Sequence, residues 1–539
     1  MASEDQTPAV GIDLGTTFSA IAFLDTSGRP ETIPNAEGNV STPSAVFFDK
    51  SSPIVGIEAI RAGEFEPDRL AYCAKRDMGE LAYSKPIRDE FLPAEVVQAL
   101  VLKKLKTDAE HKLGPFTKAV VTVPAFFNEP CRKATQDAGR LAGLEVIDII
   151  NEPTAAAVTY GFNKGFLTES GESHQLERIL VFDLGGGTFD VTIMEIDGPN
   201  YTAIATGGDV YLGGYDWDSR LAAYLAEKYL HELGSDVGKN NAAMQSLLRT
   251  ANEAKHALSV RDEMMVFYQH DGKQLRLSLS REKFEELTDD LVDRTILTVR
   301  MVLAEANMKW SDLTRVLLVG GSTRMPMIEK ALQGESGMQL DRSVSPDEAV
   351  AHGAALYAGL LLGTSPAARY GMSVINVNSH DLGVLAIERS TKRHRKQVMI
   401  PRNSGLPATQ TVRFKTHSDN QSSVRVDIIE GGDDSGQNAI KIGKLVITDL
   451  PPNLPKDTPV DVEFHYEQNG RLIVKAKLPT ADRNASLELD RAAGLTEEAM
   501  AEWQQRIDQG LADPENVDLK ELERILDNED DDLGLAPDK

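Results

Sequence analysis

Cysteine is nearly absent from this chain, which holds only Cys73 and Cys131 in 539 residues. One disulfide at most is possible, and such low usage points to a reducing compartment. Basic residues are also in deficit: 57 Lys and Arg face 83 Asp and Glu, for a formal charge of −26. A surface of that sign repels phosphate backbones and anionic headgroups, so neither nucleic acid nor membrane is expected as a partner. Long apolar runs are missing too. The longest, residues 354–363 with Leu360, Leu361 and Leu362, is too short to cross a bilayer, which takes about 20 residues. The opening residues, MASEDQTP, are polar and acidic and show no signal-peptide pattern, so a cytoplasmic location is expected.

What is present is a soluble globular composition, 41% hydrophobic and 26% charged, long enough for three to four structural units. Residues 9 to about 364 alternate strand and helix patterns and end in an Ala/Gly-rich helix near 349–361. This is an α/β arrangement. A Pro/Gly/Ser break follows, so residues 1–364 are taken as one domain and 365–380 as a linker. From 381 to 490 the period is two, as in VRVDII (424–429) and LIVKAKL (472–478), separated by turns such as Asn469-Gly470. That predicts an antiparallel β domain. Residues 491–539 read as a short helix capped by Thr496, a second after Pro514, and an acidic tail.

The most informative feature is a repeated turn. GIDLGTT at 11–17 and VFDLGGGTFD at 181–190 each run from an apolar strand through Asp-Leu-Gly into small residues and a return strand. Each predicts a β-hairpin whose glycines turn with positive φ and leave bare N–H groups, a nest for phosphate. Asp13 and Asp183 then need a cation beside the phosphate, and magnesium, which takes few carboxylates, fits. A third turn, LVGGSTRMP at 318–326, is an ordinary strand-to-helix turn taken alone. Beside two phosphate hairpins it suits an adenosine end, with Gly320 and Gly321 admitting a flat ring and Arg324 stacking on the base. Glu152, in INEPTAAA at 150–157, starts a helix. It is either a dipole-stabilised surface acid or the holder of a metal-bound water. Asp190 is similarly ambiguous, and Lys75 by itself reads as a surface charge.

Together with SPDEAVAHGAA at 345–355, these motifs resemble the heat shock protein 70 family, the DnaK-type chaperones, over residues 9 to about 510. The resemblance implies a two-lobed actin/sugar-kinase-like ATPase domain, an antiparallel β-sandwich that binds peptide, and a helical C-terminus. It implies ATP and ADP as ligands, with Mg2+ and K+. By position, Gly15, Thr16, Thr17, Gly185, Gly186, Gly187 and Thr188 would cradle phosphates. Asp13, Glu152, Asp183 and Asp190 would surround the metals and attacking water, with Lys75 facing the γ-phosphate. Gly213, Gly214, Lys255, Ser259, Gly320, Gly321, Ser322, Arg324 and Asp347 would line the nucleoside, and Pro124 and Arg132 would relay nucleotide state. Ile387, Phe414, Val424 and Val426 fall at positions of the apolar peptide groove, although alternating Val and Ile are usually core. Partners implied are unfolded polypeptide clients, a J-domain co-chaperone and a nucleotide exchange factor.

Four departures qualify the match. Asn252 stands where the family has a glutamate, three residues before Lys255. Between Lys75 and Pro93 the chain is too short for the family's extra strands. The leucine-rich linker is replaced by RYGMSVINV at 369–377, whose alternation suits a strand rather than an apolar plug, so weak interdomain coupling is expected. The lid is cut to a remnant. Rival readings are a metabolite kinase on the same fold and a nucleotide-gated scaffold without turnover.

Overall fold

The computed structural model describes residues 8, 10–166, 176–364, 371–387, 393–448, 450–467, 472–480, 483–489 and 494–511. Two six-stranded sheets carry the α/β part. In the first, Val10–Asp13 lies between its antiparallel partner Phe18–Leu24 and the parallel strand Lys118–Val123, which pairs with Glu145–Asn151. In the second, Glu177–Leu184 lies between Phe189–Asp197 and the parallel strand Arg315–Val319. Their central strands read as continuous apolar runs because helices cover both faces. Mixed α/β sheets of this kind are consistent with the expected ATPase domain.

Small residues decide how closely the helices approach. Ala-rich helices Glu152–Asn163 and Ala349–Leu361 meet backbone to backbone, so that a Cβ on Gly353 would lie 1.8 Å from the Ala155 carbonyl oxygen. Gly11 is as tight against Ala355, at 2.0 Å. This close seam fixes Glu152, at the start of its helix, against the end of the Val10–Asp13 strand.

Between the 74–77 turn and helix Ala94–Leu113 there is only an isolated bridge, Ile87 to Glu90, among the described residues. The trimming expected there is real. A small three-stranded sheet, Ala45–Phe48 with Pro53–Val55 and Leu70–Tyr72, precedes it.

The β domain is a sandwich of two four-stranded antiparallel sheets. One holds His394–Ile400, Leu382–Ile387, Val424–Gly431 and Ala439–Ile447; the other holds Ala408–Lys415, Pro459–Tyr466, Leu472–Leu478 and Arg483–Leu489. Ile428, Phe464, Val474 and Leu478 fill the space between them, each fully buried.

The linker corrects an expectation. Ser373–Ile375 is a strand, but it is docked: it pairs in parallel with residues 200–202 at the edge of the second sheet. Met372, Val374 and Val377 are buried in a core cluster shared by both sheets, so alternation supplies an inward face rather than preventing attachment. The premise for weak coupling is thereby removed.

Helix Glu497–Asp508 begins as expected, with the Thr496 hydroxyl accepting from the Ala499 N–H at 3.2 Å. It packs on the first half of the α/β part through Met500, Ile507 and Leu511, and Arg506 makes a bidentate pair with Glu90 at 2.7 and 2.9 Å. The second helix after Pro514 and the acidic tail lie outside the described residues. No helix among the described residues is long and apolar enough to cross a membrane.

Candidate active site

The two repeated hairpins form, with Asp13 opposite Ala20 in one and Asp183 opposite Asp190 in the other. Their tips touch across a cleft of about 460 Å3. The glycines have a different purpose from the one expected. None of Gly15, Gly185, Gly186 and Gly187 has positive φ. Instead, a Cβ on Gly186 would lie 1.9 Å from the Thr17 hydroxyl, and one on Gly187 would lie 2.1 Å from the Thr16 methyl. Glycine is needed so that the two tips can meet. Gly213 is equally tight on the Gly187 backbone, at 2.5 Å.

The third turn braces the second hairpin. Gly320 does have positive φ, 80°, and a Cβ there would meet the Leu184 carbonyl at 2.4 Å. The Ser322 hydroxyl donates to the Gly185 carbonyl at 2.8 Å. On the first hairpin, the Ser44 hydroxyl donates to the Gly15 carbonyl at 2.8 Å.

Lys75 is no surface charge. It lies on the short 74–77 turn, 2% exposed, with Nζ 2.5 Å from Glu152 Oε1. The Thr122 hydroxyl donates to Asp13 at 3.3 Å. Burial, reinforced by the Glu152 charge, pushes Asp13 up to about 7 and Asp190 up to about 8, and holds Asp183 well above the carboxylate range. A cation in the cleft would return these groups to their ionised forms. The Thr16 hydroxyl is buried with no partner among the described residues, as a donor waiting for a ligand oxygen would be. These residues therefore fit magnesium and a polyphosphate. Asp13, Asp183 and Asp190 do not form a ligand cage by themselves: no three acidic, His or Cys side chains among the described residues converge closely enough to hold an ion. Asp190 instead accepts from the Phe126 N–H at 3.1 Å. That suits magnesium held mainly through water and phosphate.

At the far end, Lys255 Nζ donates to the Gly214 carbonyl and to Asp218, each at 2.9 Å, and Asn252 donates to the same Asp218 oxygen. The Ser259 hydroxyl turns back to the Lys255 carbonyl, while Arg324 forms a half-exposed bidentate pair with Asp347. Thr188, Gly321, Asn252, Lys255, Ser259, Arg324 and Asp347 all line the cleft. Sequence reasoning missed Tyr72, Tyr215, Asp218 and Arg76. Only Arg76, beside Lys75, carried any local signal.

The residues expected to relay nucleotide state lie beside a run of hydrogen bonds between the cleft and residues 379–380. Phe126, whose N–H is held by Asp190, belongs to the turn after Pro124. From the linker side, the Ser379 hydroxyl donates to the Ala125 carbonyl at 2.7 Å, and the His380 ring bonds the Phe126 carbonyl at 2.9 Å. Arg132 reaches Asn151 at 2.7 Å and the Phe127 carbonyl at 3.2 Å.

In the sandwich, Val426 is 4% exposed and part of the core, which makes it unavailable to a peptide in this conformation; Phe414 and Val424 are half-buried against the same cluster. The side chain of Ile387 lies outside the described residues.

A family model described as Hsp70 protein matches residues 9–91 and 83–528. The chain belongs to the Hsp70 family. The two matched pieces overlap at residues 83–91, inside the short segment before helix Ala94–Leu113. Hsp70 proteins are ATP-dependent chaperones that bind ATP or ADP with Mg2+, and they act on unfolded clients with co-chaperones.

Proposed function

We propose that this chain hydrolyses ATP slowly in the cleft between the two hairpins and uses the nucleotide cycle to control binding of extended apolar peptides by residues 381–490. The observation that carries the reading is the buried Lys75–Glu152 pair beside Asp13 and two touching glycine–threonine tips. Phosphoryl transfer needs positioning and charge neutralisation more than covalent chemistry, and this group supplies both. Magnesium, when bound, neutralises phosphate charge. Thr16, Thr17 and Thr188 orient phosphate oxygens, and Lys75 offsets charge on the γ-phosphate. Glu152, held by Lys75, accepts a hydrogen bond from the attacking water. Lys255, Ser322 and Arg324 bind the nucleoside. Asp190, through the Phe126 N–H, passes the state of the cleft to the turn that Ser379 and His380 grip.

The test is ATP turnover with and without an extended apolar peptide, and with sugars. Stimulation by peptide supports the chaperone reading. Stimulation by a sugar would replace it with a metabolite kinase, and tight ATP binding without turnover would replace it with a gated scaffold.

A further inference from the structure

Arg76 is 12% exposed and reaches from the turn that carries Lys75 to the second half. Its Nε and Nη2 donate to the Gly187 carbonyl at 3.0 and 2.7 Å. Its Nη1 and Nη2 donate to the two Asp216 oxygens at 3.2 and 2.5 Å. The guanidinium also lies over the Tyr215 ring, 5.4 Å from its centre. Asp216 in turn accepts from the Gly213 N–H at 2.8 Å, capping helix Gly214–Leu233. One side chain from the first half therefore holds both the second phosphate tip and the helix start beside it. Its neighbour Lys75 points the other way, to Glu152. A planar fork suits this task, because two acceptors at fixed separation are met at once; an ammonium cannot do so.

We propose that Arg76 is a positioning residue that locks the Gly187 tip and the 214–233 helix against the Lys75 turn, so that full hydrolysis and slow nucleotide release both require the two halves to be closed. This rests on the ATPase reading above. Arg76→Ala removes the lock but none of the groups assigned to phosphate, metal or water.

Single-turnover hydrolysis at saturating ATP and stopped-flow release of a fluorescent ADP analogue test it. Arg76→Ala is expected to slow the first about tenfold and speed the second about tenfold, a loss that more ATP does not repair. Millimolar guanidinium should restore part of the hydrolysis rate, which it would not do for a purely structural defect. Arg76→Lys, which keeps the charge without the fork, should fall between, and it serves if Arg76→Ala does not fold. Adding Asp216→Asn to Arg76→Ala should change little, since both break one unit. Either rate staying within about twofold of wild type overturns the proposal, as does full additivity of the two substitutions. A wild-type chain without turnover would count against the ATPase reading instead, and ADP release would still decide the lock.

Discussion

The backbone N–H of Glu129 donates to the Glu430 carboxylate at 2.9 Å, joining the first turn of helix Glu129–Leu141 to sandwich strand Val424–Gly431. Tyr466, from the other sandwich sheet, donates its hydroxyl to the Glu129 carboxylate. All three residues are at most 5% exposed. They border a polar cavity of about 30 Å3, room for one water, shared with Arg132, Asn151 and His380. Two carboxylates thus face each other where the ATPase part meets the sandwich.

That pair makes docking of the sandwich depend on pH. Burial, then the Glu129 charge, pushes Glu430 from its ordinary 4.5 up to about 8. Undocking returns Glu430 to water and to its ordinary range. The docked state therefore binds the extra proton, and its stability falls as pH rises. The contribution of Glu430 to docking is full below about 4.5, falls between 4.5 and 8, and is lost above 8. Fluorescence transfer between labels on the sandwich and the second sheet should fall across that window. Glu430→Gln should hold the domains docked throughout; an unchanged pH profile in that variant would refute the assignment.

Removing Lys75 or neutralising Asp183 should cut ATP turnover tens-fold or more, on the order of 2 kcal/mol of lost transition-state stabilisation. Rates for Lys75→Ala and Asp183→Asn check this. A Lys75→Ala variant at the wild-type rate would show that the phosphate end lies elsewhere.

The tips should tolerate no added carbon. Gly186→Ala places a Cβ on the Thr17 hydroxyl, so the hairpins must separate and ATP affinity should drop by roughly tenfold. Thr17→Gly in the same chain should recover part of that loss by relieving the overlap. Titration calorimetry on the single and double variants would decide; equal affinity for Gly186→Ala and wild type would mean the tips move freely.

Because the linker docks, ATP and ADP should change peptide affinity by more than about tenfold, equivalent to roughly 1.4 kcal/mol. Val374 is 2% exposed and pairs with Tyr201 in the sheet register. Val374→Asp should undock the strand and collapse the difference to near unity. Peptide titrations in both nucleotides, with Asp183→Asn blocking hydrolysis, would measure it.

The C-terminal helix packs on the ATPase part through Met500 and Ile507. With that helix held there rather than over the sandwich, peptide should leave within seconds or faster even with ADP bound. Stopped-flow release from a labelled peptide tests this, and a complex surviving for many minutes would contradict it. Ile507→Ala should loosen the helix at a cost of about 2 kcal/mol, seen as faster amide exchange over residues 497–508.

The sequence by itself determined the α/β and β halves, both DLG hairpins, the helix starts at Glu152 and Thr496, and much of the cleft lining, though not Tyr72, Tyr215 or Asp218. Those signals are local: an apolar period, a capping hydroxyl, a glycine tip, each written within a few neighbouring residues. Only the tertiary structure decided why the tip glycines are glycine, since the atom that excludes a Cβ at Gly186 belongs to Thr17, 169 residues earlier. It decided that Lys75 is buried, that Asp190 faces the Phe126 backbone, and that the linker strand is docked. It also brought Arg76 to Asp216 and Glu129 to Glu430, 140 and 301 residues apart. No local pattern encodes such pairs, because each residue's environment is supplied by chain that folds against it from far away.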